Sequence, residues 1–292
     1  MRWRKGRRSD NLVDLRRGGT RGGGLRPGGG GMGLVGIAAV VLIALALGKD
    51  PMEILGMLGQ MQGGTAPTSE QGGAPPVDDE TAEFIATILG ETEDVWTPIF
   101  QASGLRYELP KLNLFEGYVS TACGNASSAS GPFYCPGDRE IYLDTSFFKA
   151  MDQRLGGGGD FAYAYVIAHE VGHHVQTLLG ISAKVQAARQ LGQNVEGDGG
   201  LLVRQELQAD CYAGVWANLA EAEHQWLEEG DIAEALNTAS AIGDDRLQQQ
   251  SQGRVVPDSF SHGTSEQRQR WFRAGFESGD PERCDTFAAT AL

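Results

Sequence analysis

Apolar positions take up a helical period after residue 79 of this 292-residue chain. In ETAEFIATILG, Phe84, Ile85, Ile88 and Leu89 fall on one face, and Asp79 is placed to cap the turn before them. A second helix, TEDVWTPIFQASG, is expected after Gly90. The period then shortens to two. KLNLFEGYVSTACG and IYLDTSF show the alternation of strands, and PFYCPGDREIYLD sets a Pro-Gly-Asp turn between two short runs, as a hairpin does. Beyond the glycines at 156–159 the helical period returns in FAYAYVIAHEVGHHVQTLLG, with Asp160 as expected cap and Gly180 as the closing residue. Three more helices are expected in LLVRQELQADCYAGVWANLAEAEHQ, GDIAEALNTASAIG and GTSEQRQRWFRAGFESG, the last with Thr264 and Gln267 at capping-box spacing. Helices and a few antiparallel strands in separate blocks predict an α+β domain over residues 80–292, with a small antiparallel sheet.

One apolar run has no amphipathic neighbours to bury it. MGLVGIAAVVLIALALG, residues 32–48, contains no charge and approaches the roughly 20 residues that a transmembrane helix needs. A signal peptide would have a shorter basic start and a clearer cleavage site than LALGKDP offers, so an uncleaved anchor is the expectation. Residues 49–79, rich in Gly, Pro, Ser, Thr and Gln, read as a flexible linker.

Charge divides along the same lines. Residues 1–31 hold nine basic against two acidic side chains, a surplus of +7, so with a net charge of −14 for the chain the remainder carries −21. The basic stretch is poor in apolar residues and is expected to be a disordered cytoplasmic tail, with everything after Lys49 periplasmic or extracellular by the positive-inside rule. A body this acidic disfavours nucleic acid as a partner. Four cysteines suit an oxidising compartment: Cys123–Cys135 and Cys211–Cys284 is the preferred pairing, with four buried thiols as the alternative.

The chemistry concentrates in VIAHEVGHHVQ, residues 166–176. His169 and His173 are one helical turn apart and can offer two imidazole nitrogens to one cation, while Glu170 is placed to take a proton from a water beside it. A catalytic zinc site wants a third protein ligand and an open fourth position. Glu206, in RQELQADCYAGVW on the next long helix, can supply it, with His174, Asp210 and Cys211 as other candidates. Asp210, a turn beyond Glu206, is placed to accept the free N–H of a ligating histidine. Gly172 on one helix and Ala209, Ala213 and Gly214 on the other would let the two approach. His174 is about 100° round the helix from His173 and is expected to pack rather than ligate. His262, in FSHGTSE, is the first candidate to stabilise an oxyanion and Tyr212 the second; His224 is expected at the surface.

AHEVGHHVQ with RQELQADCYAGVWA, the downstream SHGTSEQRQRWF and the arginine-rich start followed by an apolar run resemble the neutral zinc metallopeptidase family of bacterial membrane-anchored proteins. The H-E-x-x-H plus E-x-x-x-D arrangement is also similar to the gluzincins. The resemblance implies a zincin-like fold, zinc as cofactor, His169, His173 and Glu206 as ligands and Glu170 as general base. The expected activity is peptide-bond hydrolysis by a membrane-anchored, extracytoplasmic metalloendopeptidase. Its expected partners are a polypeptide substrate, added as a strand along the edge of the PFYCPGDREIYLD hairpin, and the membrane, through residues 32–48; no small organic cofactor is expected. The alternatives are a zinc-binding adaptor without activity and a zinc amidase acting on cell-wall peptides.

Overall fold

The structure, a computed structural model, describes residues 1–16, 79–155 and 158–292. The apolar run at 32–48 and nearly all of the expected linker lie outside the described residues. Among those described, no helix is long and apolar enough to cross a membrane.

The sheet is mixed rather than antiparallel. Its order is β1 (Leu12–Asp14), β2 (Lys111–Phe115), β6 (Glu140–Asp144) and β5 (Phe133–Cys135), with β1 parallel to β2, β2 parallel to β6, and β5 antiparallel to β6. The expected hairpin is therefore present, and β5 is an edge strand. Between the parallel strands β2 and β6 the chain forms a separate hairpin, β3 (Tyr118–Thr121) with β4 (Gly124–Ser127), before it returns through β5 to β6. Alternation divides the buried residues of β2 and β6 between two clusters. Leu112, Leu114, Ile141 and Leu143 join the main core, whereas Phe115 and Tyr142 join a smaller cluster with Val119 and Cys135. Both faces are thus covered, as parallel strands require. The Cys123–Cys135 disulfide ties the hairpin turn to β5.

The helices are α1 (Glu80–Ala102), α2 (Ser146–Ala150), α3 (Asp160–Leu178), α4 (Ile181–Gln190), α5 (Leu201–His224), α6 (Asp231–Ala241), α7 (Asp244–Gln252) and α8 (Ser265–Ser278). Asp79 caps α1 through the Ala82 amide, and Thr264 and Gln267 form the capping box of α8. Asp160 does not cap α3; its carboxylate accepts from Trp3 Nε1 at 3.1 Å. Gly180 does close α3, at φ 75°. His224 is not a free surface residue, because its Nε2 lies 2.9 Å from the buried carboxylate of Glu91.

Two expectations fail together, and for one reason. Helix α1 runs unbroken through Gly90, and residues 1–16 of the tail expected to be disordered over 1–31 fold against it, residues 17–31 lying outside the described residues. A Cβ at Gly90 would stand 2.5 Å from the Arg7 carbonyl oxygen, so the glycine is there to admit a neighbouring backbone and not to end a helix. Ser9 N–H donates to the Ala86 carbonyl at 2.9 Å, Trp3 stacks edge-on against Phe84, and β1 pairs with β2 from Leu12↔Leu112 to Asp14↔Leu114. The buried carboxylate of Glu93 accepts from Arg7 Nη2 (2.7 Å), Ser9 Oγ (2.5 Å) and Asn11 Nδ2 (2.8 Å). Composition alone reads this stretch as unable to fold; its charges are matched by acidic partners far along the chain.

Ser9→Ala should lower stability by about 1–3 kcal/mol, because it leaves a buried carboxylate one donor short. Urea unfolding of the full chain measures this, and a disordered tail would give no change.

Candidate metal centre

Three long helices build the site by close approach. A Cβ at Gly172 of α3 would lie 3.0 Å from Ala209 Cα of α5, so the two backbones nearly touch. Gly214 serves a different contact from the one expected: it faces α8, where a Cβ would meet Phe276 N at 2.7 Å, and Gly275 returns the favour against the Cys211 carbonyl. The Cys211–Cys284 disulfide then fastens the chain beyond α8 to the middle of α5.

This packing brings His169 and His173 of α3 against Glu206 of α5. His169 Nε2 lies 3.2 Å from Glu206 Oε2, and His173 Nε2 lies 3.4 Å from Glu206 Oε1. Metal-ligating atoms of the three residues fall within 4.8 Å of one another. The other face of each ring is already engaged. His169 Nδ1 is 2.8 Å from Asp210 Oδ1, and His173 Nδ1 is 2.9 Å from Gln176 Oε1. A carboxylate or amide oxygen can only accept, so each Nδ1 carries a proton, and each Nε2 faces the shared space, where it can offer a lone pair to a cation once its own proton is lost. Zinc bonds of about 2.0–2.1 Å in a tetrahedron separate neighbouring donors by roughly 3.3–3.4 Å, and the two His–Glu206 spacings, each to a different carboxylate oxygen, lie close to that. The donor set fits zinc.

Electrostatics tightens the same picture. Burial alone would lower the pKa of His169, but Asp210 and then Glu206 outweigh it and raise it to about 10. Burial lowers His173 too, and Glu206 again reverses the direction. Glu206 is pushed up by burial yet held well below the carboxylate range by the two histidines. Without metal, therefore, protons hold the cluster together, and a cation must displace them to bind.

Behind the ligands lies a buried hub that the sequence reading only half found. Asp210 is fully buried and ionised, with burial opposed by Arg268 and His169, which hold it at about 2. Arg268 of α8 grips both its oxygens at 2.9 Å, and the Tyr165 hydroxyl donates to Oδ1 at 2.6 Å. Gln176 is likewise fixed, donating through Nε2 to the Gln205 carbonyl (2.7 Å) and to Gln208 Oε1 (3.1 Å). Tyr165 and Gln176 had a signal, standing four before His169 and three after His173 on the same helix. Arg268 had none, since its partner is 58 residues away on another helix.

The remaining candidates separate clearly. Glu170 is 8% exposed, and among the described residues its carboxylate has no hydrogen-bond partner. His174 points away from the cluster. Its Nε2 donates to the Glu108 carbonyl at 2.6 Å and its Nδ1 accepts from Tyr134 Oη of β5 at 3.2 Å, so it packs the edge strand onto α3 as a neutral ring whose pKa burial lowers. Tyr212 packs edge-on to Trp96 within the core. His262 is half exposed in the loop before α8, 3.3 Å from Asp244 Oδ1. The Asp244 hydrogen bond raises its pKa against burial, and Glu206 adds to the rise.

The profile of the family described as "putative neutral zinc metallopeptidase" matches residues 1–287. The chain belongs to this family. The uncharacterized protein YpfJ of Escherichia coli (strain K12) is 50% identical over 294 residues, covering 98% of this chain and 99% of its own. The uncharacterized protein Rv2575 of Mycobacterium tuberculosis (strain ATCC 25618 / H37Rv) is 48% identical over 208 residues, or 68% of each chain. No solved structure matches the chain at a significant level. Family membership carries zinc as the expected metal of the His169–His173–Glu206 set.

Substitutions should rank by their distance from the cation. Glu206→Ala removes a donor and should abolish tight zinc binding, whereas Asp210→Asn should weaken it by about 10–100-fold. His174→Ala should leave zinc content nearly unchanged. Competition with a chromophoric chelator reads all three, and loss of zinc from His174→Ala would refute the ligand assignment.

Proposed function

We propose that the protein is a zinc-dependent endopeptidase in which Glu170 is the general base. The observation that supports this best is the two Nε2 atoms turned toward Glu206, with the unclaimed carboxylate of Glu170 next to them on the same helix. Zinc held there supplies Lewis acidity, polarising a carbonyl and lowering the pKa of a water toward about 7. Glu170 would take a proton from a water beside it and later pass that proton to the leaving amine. Asp210 and Gln176 keep both imidazoles in the tautomer that leaves Nε2 free. His262, with its pKa raised by Asp244, is the donor to the oxyanion in this reading. An extended polypeptide lies along edge strand β5, which Tyr134 and His174 pin beside the site.

The body acts outside the cytoplasm in this reading, supported by both pairs of cysteines being joined as disulfides. Residues 32–48 hold it at the membrane, supported by their uncharged apolar composition.

Glu170→Gln should retain one zinc per chain and lose casein cleavage by about 10²–10⁴-fold. Zinc without cleavage in the unaltered protein would favour an adaptor, and cleavage of cell-wall peptides but not casein would favour an amidase. The donor role of His262 has a pH signature. Asp244 raises the imidazole pKa, so the protonated form persists to higher pH when Asp244 is ionised. Asp244→Asn should therefore move the alkaline limb of kcat/KM to lower pH; an unmoved limb would exclude His262 as the titrating donor.

A further inference from the structure

Residues 1–16 and residues 79–292 lie on either side of the apolar run at 32–48, yet they form one folded body. A single crossing by that run would place them on opposite faces of a bilayer about 30 Å thick. Strand β1 cannot then hydrogen-bond to β2. From this conflict we infer that residues 1–16 and the catalytic body occupy the same side of the membrane, so that residues 32–48 do not by themselves carry the chain from one face to the other.

The attachment is extensive and specific. Backbone pairing continues past β1 in both directions, with Leu112 N–H donating to the Asn11 carbonyl at 3.0 Å and Leu15 N–H to the Leu114 carbonyl at 2.8 Å. Trp3 is buried in the main core. Gly90, by admitting the Arg7 carbonyl, shows that α1 is shaped for this segment. The family match also starts at residue 1.

The arginines that signal a cytoplasmic tail have another use. Arg4 pairs with Glu80, Arg7 with Glu93 and Asp94, and Arg8 with Glu83. Positive charge beside an apolar run orients it only where that charge is free to stay inside. Here much of it neutralises a strongly acidic domain. The last described residue before the gap is pinned to the first one after it: Arg16 Nη2 lies 2.6 Å from Asp79 Oδ2.

Asp10 and Leu191 are both exposed, and every native cysteine is in a disulfide, so Asp10→Cys and Leu191→Cys each introduce the protein's only free thiol. In the full chain in its own membrane, each thiol is treated with a membrane-impermeant maleimide before and after permeabilisation, and normalised to its labelling in the folded, detergent-solubilised protein. Both should label to the same extent before permeabilisation. Labelling of both only after permeabilisation would also support one shared side, and would move the body inside the cell. If one thiol labels from outside and the other only after the membrane is opened, the inference is overturned. The assay reads neither zinc nor cleavage, so an inactive protein whose two thiols label alike would sink the peptidase reading and leave this one standing.

Discussion

The buried ion pair between Asp210 and Arg268 is the interaction on which the site depends. A carboxylate with no solvent contact is tolerable only when its charge and lone pairs are met, and the arginine fork, the Tyr165 hydroxyl and the His169 ring meet them together. Such a pair adds little net stability, since both charges were desolvated to make it. What it supplies is geometry. Three helices must hold one register for the four groups to meet, and His169 can then present only Nε2 to the metal position.

That register is set by backbone contact. Gly172 against Ala209 brings α3 to α5, while Gly214 and Gly275 bring α5 to α8, and any side chain at these glycines would force the helices apart. The Cys211–Cys284 disulfide fixes the far side of the same junction, and the Cys284 carbonyl accepts from Gln208, which supports Gln176 and through it His173. The second ligand is thus oriented from the chain end and the first from α8. Each histidine of the candidate site is positioned by residues outside the candidate ligand set.

The N-terminal segment shows how a correct count of charges can lead to a wrong structural expectation. Arg7, Ser9 and Asn11 look like part of a solvated tail because their partner, Glu93, is more than eighty positions away. Disorder arguments weigh apolar burial against chain entropy within a segment. They do not register a strand that completes a sheet or a carboxylate already waiting in the body. Gly90 was read as a break between two helices for the same reason, since a glycine that ends a helix and one that admits another backbone look alike in sequence.

The chain's own pattern determined what is local: helices α3, α5, α6 and α8, the two halves of α1 though not their union, the β5–β6 hairpin, and the placing of His169, Glu170 and His173 on one turn, because helical and strand periods are set within a few residues. The E-x-x-x-D spacing placed Glu206 and Asp210 on one face for the same reason. Tertiary structure alone decided the parallel pairing of β1, β2 and β6, the union of Arg268 with Asp210, and the return of residues 1–16 to the body that follows residue 79. Each of these joins groups far apart in the chain, and a contact of that kind leaves no mark on the sequence near either partner.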